Sequence, residues 1–187
     1  MPPKVKVTKE KIVQAAVNII RQSGPAAINA RTLAAALNCS TQPIFSNFAT
    51  MEELRLAVVK KVDQLCWAYM QREVERGEYP DYKASGMAYI RFAKEETELF
   101  KLLYMRDRSG EPKDLDSVAS GAMEAMVHHH TGLESDGAKL FHLEMWACVH
   151  GIATMFATGF VDLDWELVSN MITDCYRGLR KQYGMES

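Results

Sequence analysis

Asn29-Ala30-Arg31-Thr32-Leu33-Ala34-Ala35-Ala36-Leu37-Asn38-Cys39-Ser40-Thr41-Gln42-Pro43-Ile44-Phe45-Ser46-Asn47-Phe48 is the stretch on which the fold turns. Asn29 is a favourable N-cap, and Leu33, Ala34 and Leu37 behind it form the apolar stripe of a short helix. Asn38-Cys39-Ser40 reads as a three-residue turn, with Asn38 able to take the left-handed conformation that most side chains resist. Ser40 is expected to cap a second short helix through about Phe48. In that helix Ile44 and Phe48, four residues apart, anchor one side, while Thr41, Gln42, Ser46 and Asn47 offer hydrogen-bonding groups on the other. Pro43 falls in the first turn, where a missing amide costs little. Two short helices joined in this way, the first lined by the small residues Ala34, Ala35 and Ala36, have helix-turn-helix geometry.

Outward from this core the periodicity stays helical. Thr8 caps a segment that places Ile12, Ala15, Ala16, Ile19 and Ile20 on one face and stops at Gly24. Thr50 opens a long helix to about Arg76 with a capping box, Glu53 being placed to accept from the cap amide. Further helices are expected near Tyr82 to Glu96, Thr97 to Arg106, Lys113 to His130, Ser135 to Gly159 and Leu163 to Tyr183. No stretch alternates as a strand, so the fold class is all-α: an N-terminal three-helix domain over residues 1–50 and a larger helical domain over residues 51–187.

The 187 residues, 48% hydrophobic and 25% charged with 11 Gly and 6 Pro, suit a folded globule and exclude a disordered or fibrous chain. No apolar run approaches the roughly 18 residues of a membrane span, and Met-Pro-Pro-Lys-Val-Lys has no signal-peptide core, so a cytoplasmic protein is expected. Cys39, Cys66, Cys148 and Cys175 form no CxxC pair and are read as reduced, buried thiols. The net charge of −2 conceals a segregation: residues 1–61 hold nine Lys or Arg against Glu10, Glu52 and Glu53, leaving the rest of the chain at −8. A basic head on an acidic body suits a polyanion partner.

The run from Ala30 to Leu54 resembles the DNA-binding domain of TetR-type transcriptional regulators, a likeness covering about residues 8 to 60. It implies a DNA-facing set of Arg31, Thr32, Thr41, Gln42, Pro43, Phe45, Ser46, Asn47 and Thr50. Gln42 is the candidate reader of a base edge, because an amide pairs bidentately with adenine; Thr41, Ser46 and Asn47 assist it. Arg31 looks like a phosphate clamp, with the amides of residues 31 and 32 sharing the same phosphate. Lys4, Lys6 and Lys9 would add a basic arm. Three positions depart from the family pattern: Asn38 stands where Gly is usual, Phe45 where a Tyr usually reaches a phosphate, and Met51 where a Lys usually begins the long helix.

The body shows no phosphate loop, no GxSxG elbow and no HExxH, so no catalytic residue, metal or cofactor is expected. His128, His129 and His130 project about 100° apart on a helix and cannot all face one ion. The resemblance instead implies a pocket for a small, largely apolar effector, with Trp67, Met70, Met87, Phe92, Phe100, Tyr104, Met123, Met126, Trp146 and His150 as candidate lining. Met145 to Ala153 is also similar to the TetR subgroup with a Trp, His, Gly signature in this domain. Trp146 and His150 share a helical face at i and i+4, and Ala147 and Gly151 form a groove that lets another helix approach; with Leu167, Met171, Cys175 and Gly178 they suggest a homodimer seam. The resulting expectation is a homodimeric repressor released from a palindromic operator by its effector. The competing reading is a small-molecule-binding protein or enzyme on an all-helical scaffold with a vestigial head.

Overall fold

The computed structural model describes residues 7–109 and 121–185. Among the described residues every regular element is helical: α1 Lys9–Ser23, α2 Ala30–Ala36, α3 Gln42–Asn47, α4 Met51–Glu75, α5 Asp81–Glu95, α6 Thr97–Tyr104, α7 Gly121–Thr131, α8 Ser135–Ala157 and α9 Trp165–Gln182, with one 3₁₀ turn at Pro25–Ala27. The part of the seventh expected helix before Gly121 lies outside the described residues. The chain forms two compact units, residues 1–67 with 96–106, and residues 68–95 with 107–187.

In the first unit α1 starts where Thr8 Oγ1 accepts from the Lys11 amide (3.3 Å) and ends at Gly24, whose φ of +78° only glycine adopts freely. Its core face is Ile12, Ala16, Val17 and Ile20; Ala15 and Ile19, expected on the same stripe, are half-buried. α1 packs on α2, on the 3₁₀ turn and on α6. Sequence periodicity assigned α6 to the larger domain, but Leu99 and Phe100 are fully buried in this first unit, and Arg21 grips Glu96 through Nε (2.8 Å) and Nη2 (2.8 Å). The first unit thus runs past the expected boundary at residue 50, to Trp67, before recruiting α6.

Two caps differ from expectation. α3 begins at Gln42 with Thr41 as N-cap and no side-chain cap, Ser40 lying outside it; Pro43 has no amide to cap, and the Ile44 amide is met by the Thr41 carbonyl (3.1 Å). At α4, Thr50 Oγ1 accepts from the Glu53 amide (3.1 Å), yet the Glu53 carboxylate accepts from the Ala49 amide (2.8 Å) and not from that of Thr50.

The second unit packs α5, α7, α8 and α9 together, with α5 and α8 most intimately in contact. Gly86 lies at this contact, where an added Cβ would just touch the Val149 side chain at 3.4 Å. Asp136–Ala157 of α8 is long and apolar enough to cross a membrane, contrary to the sequence reading. The cause lies in the core: Phe141, Met145, Val149, Ile152 and Ala153 are buried within the unit, so a central helix acquires the composition of a span. The thiols also differ from expectation. All four are free, but only Cys66 is buried; Cys39, in the turn between α2 and α3, and Cys148 and Cys175, on α8 and α9, are half-buried.

Candidate nucleic-acid interface and effector region

The turn between α2 and α3 depends on Asn38, which at φ +49° is the one non-glycine residue with positive φ among the described residues. An Asn side chain tolerates this conformation where a branched residue would clash. With the turn set, Ile44 and Phe48 are buried (1% and 3% exposed) and fix α3 to the head. The opposite face presents Gln42, Phe45 and Ser46 to solvent, with Phe45 half exposed at 50%. The remaining groups are more engaged. Ser46 Oγ donates to the Gln42 carbonyl (2.9 Å), and Asn47 Nδ2 donates to the carbonyls of Pro43 (2.7 Å) and Val7 (3.2 Å). Asn47 therefore also ties the incoming chain to α3. Thr41 and Pro43 are half-buried, and Thr50 is exposed at the head of α4.

Arg31 is exposed at the start of α2. The two amides read as sharing its phosphate are already engaged: Asn29 Oδ1 accepts from Arg31 N (2.9 Å) and Thr32 N (3.0 Å). The Thr32 hydroxyl donates to the Ala27 carbonyl (2.8 Å) and accepts from the Asn29 amide (3.1 Å), completing a capping box. Here the Asn29 side chain, read only as a cap, does the work given to an anion; its one oxygen meets both donors, leaving the guanidinium as the contact Arg31 can make. Lys9 reaches Glu53 (3.4 Å) and lies over the Phe48 ring (5.0 Å); Lys4 and Lys6 fall outside the described residues.

The candidate effector residues divide by burial. Met87, Phe92 and Phe100 are at most 3% exposed and serve as core filling, whereas Trp67, Met70, Tyr104, Met123, Met126, Trp146 and His150 are half-buried. In the first unit Tyr104 stacks obliquely on Phe100 (4.9 Å) and its hydroxyl meets Cys66 Sγ (3.9 Å), where burial pushes the thiol up to about 12. A cleft of about 130 Å³ in that unit is lined by Pro25, Ile28, Leu56, Val58, Leu102 and Arg106, and includes none of the candidate lining. In the second unit the i, i+4 spacing stacks Trp146 on His150 (4.6 Å, 20°), and His150 Nδ1 bonds the Tyr89 hydroxyl (2.9 Å). Burial pulls the His150 pKa down, which holds the ring neutral at neutral pH. Tyr89 was absent from the sequence candidates; nothing in the chain foretells a contact across 61 residues except the packing of α5 on α8.

The three histidines diverge. His128 Nδ1 approaches the Leu133 carbonyl (3.0 Å), His130 bonds Asp81 at the start of α5, and His129 lies edge-on to His130 (5.2 Å). Burial alone would raise the Asp81 pKa, but bonds from His130 and the Tyr82 amide outweigh it and lower the value. Among the described residues no three His, Cys, Asp or Glu side chains gather as a metal site. On α8 and α9, a Cβ added at Gly151 or Gly178 would meet nothing within 4 Å, and Leu140, Met155 and Leu167 expose 51%, 36% and 43% of their surface.

Comparison with known proteins agrees with this anatomy. Residues 82–174 match the family model for a tetracyclin repressor-like C-terminal domain. An uncharacterised HTH-type transcriptional regulator of Mycobacterium tuberculosis is 25% identical, over 97% of this chain and 83% of its own length. Among solved structures, a protein of unknown function from Rhodococcus sp. RHA1 superposes with a TM-score of 0.73 at 22% identity, covering 95% of this chain and 98% of that one. A TetR-like transcriptional regulator from the same organism superposes with 0.64 at 15% identity, covering 96% and 98%. With a helix-turn-helix in its first unit and a match to a tetracyclin repressor-like C-terminal domain over residues 82–174, the chain has the two-part anatomy of TetR-type transcriptional regulators.

Proposed function

We propose that the chain is a ligand-responsive repressor in the cytoplasm, in which the helix-turn-helix of the first unit reads a palindromic operator and the second unit dimerises and binds the effector. The observation that carries this reading is the outward face of α3, where Gln42, Phe45 and Ser46 stand exposed while Ile44 and Phe48 hold the helix from behind. A helix so presented enters a major groove, and an exposed amide there can pair with adenine N6 and N7. Arg31 and Thr50 flank it for backbone contacts, and Thr41, Ser46 and Asn47 support the reading helix.

A palindromic operator presents its two half-sites one turn of duplex apart, about 34–36 Å, and so calls for two copies of α3, which a dimer joined along α8 and α9 supplies. Open space at Gly151 and Gly178 beside half-exposed apolar side chains supports that seam. The effector is a largely apolar molecule held in the second unit, with the neutral His150 and the Tyr89 hydroxyl orienting it and Trp146, Met123 and Met126 covering it. Hiding about 300 Å² of apolar surface contributes roughly 7 kcal/mol before ordering costs, enough for micromolar affinity. Release follows if the effector binds better to a conformer whose reading heads miss the operator spacing. The protein then acts by binding and not by catalysis.

Selection of duplexes from a random pool by the purified protein tests this function. Enrichment of an inverted repeat, lost on addition of a hydrophobic compound that raises the melting temperature, is expected. Failure to enrich any sequence would overturn the DNA-binding reading.

A further inference from the structure

Phe45 is an anomaly on the reading face. It is a large apolar side chain, 50% exposed, on a six-residue helix whose other outward groups, Gln42 and Ser46, are polar. Exposure of a ring without a hydroxyl excludes hydrogen bonding to a phosphate. Its position three residues after Gln42 puts it on the same helical face as the amide that meets the base edges. Within a major groove the group that offers an apolar partner to such a ring is the C5-methyl of thymine.

We infer that Phe45 is a specificity-determining residue that recognises a thymine methyl next to the base read by Gln42. This rests on the proposed DNA-reading role of α3 and adds to it the chemical identity of one further position in each half-site. Ile44 and Phe48 bury the back of the helix, and the Phe45 ring, half exposed, lies outside the head's core with half of its surface available to a groove. Removing water from both the ring and the methyl favours thymine over cytosine, which presents an amino donor there, and over uracil, which lacks only the methyl.

The experiment uses the full chain and the duplex it enriches from a random pool, with each thymine replaced singly by deoxyuridine. At one thymine per half-site the replacement is expected to weaken binding about fourfold, the factor of one buried methyl, and about fifteenfold when both half-sites are changed. Phe45→Ala should bind the thymine and uracil duplexes alike within about twofold, while a changed adenine at the Gln42 position still weakens it by the usual cost of a lost bidentate pair. The inference is overturned if every thymine can be replaced without effect, or if Phe45→Ala keeps the wild-type preference for the methyl. Those results leave specific DNA binding intact and sink only the role of Phe45; a pool from which nothing is enriched sinks the DNA-reading role itself and this assignment with it.

Discussion

Gly151→Leu separates packing within a subunit from packing between subunits. Gly151 lies in the interior of α8, and a Cβ added there meets no atom within 4 Å, so the isolated subunit has room for a side chain. Replacing an interior helix glycine also removes backbone freedom from the unfolded chain, which stabilises by about 0.5–1 kcal/mol. The subunit should therefore unfold at the same temperature or slightly higher. At a two-fold seam each copy carries the new leucine, and forcing a bulky side chain into a close-packed contact costs about 1–3 kcal/mol per site. Two sites sum to about 2–6 kcal/mol, a rise in the dimer dissociation constant of roughly 30-fold to more than ten-thousandfold. Sedimentation velocity over a concentration series, with thermal unfolding alongside, reads both quantities, and Gly151→Ala should fall between wild type and the leucine variant. A leucine variant that dimerises as tightly as wild type would refute the seam, and a wild-type protein that sediments as a monomer would refute the homodimer.

Arg31→Ala should weaken specific and non-specific duplexes alike and lower the slope of log affinity against log salt by about one per subunit, since a phosphate contact releases counterions wherever it forms; an unchanged slope removes Arg31 from the interface. Glu96→Gln should destabilise the first unit by about 1 kcal/mol in chemical denaturation, because it breaks a bidentate but partly exposed pair with Arg21; no change would show that α6 is held by Leu99 and Phe100 alone. His150, with a pKa lowered by burial, binds its proton more readily unfolded than folded, so its contribution is fully present above pH 6.5 and declines as pH falls below that value. His150→Gln should flatten this part of the stability profile below pH 6.5, and an identical profile in the variant would refute burial as the cause.

Helix order was legible because each segment carries its own punctuation. Thr8 and Gly24 bound α1, and Asn38 marks the turn before α3 with the positive φ that its side chain tolerates. The assignment of α6 was not legible, because Thr97 to Arg106 reads as one more amphipathic turn; only the Arg21–Glu96 pair and the burial of Leu99 and Phe100 place it in the first unit. At the candidate interface, sequence spacing puts Gln42 and Ser46 outward, where they stand exposed, but also Thr41 and Asn47, which are half-buried, and it does not single out the exposed Phe45; nor can spacing show which polar groups are already occupied. Asn29 takes the amides that a phosphate was expected to take, and Asn47 gives its amide hydrogens to Val7 and Pro43. These are contacts between backbone and short polar side chains, whose alternatives differ by single hydrogen bonds. In the second unit the i, i+4 rule predicts Trp146 on His150, while the Tyr89 partner depends on the register of two helices and leaves no local trace.

The most direct test of the account is the ratio of affinities for the enriched inverted repeat and an unrelated duplex, measured at one salt concentration for wild type and Gln42→Ala. Specific binding should exceed non-specific by about a thousandfold or more in the wild type. Loss of the Gln42 amide should reduce that ratio by about 1–3 kcal/mol per half-site, at one base position, with non-specific affinity unchanged. A wild-type ratio near one, or a variant weakened equally on both duplexes, would contradict the claim that α3 reads the operator through Gln42.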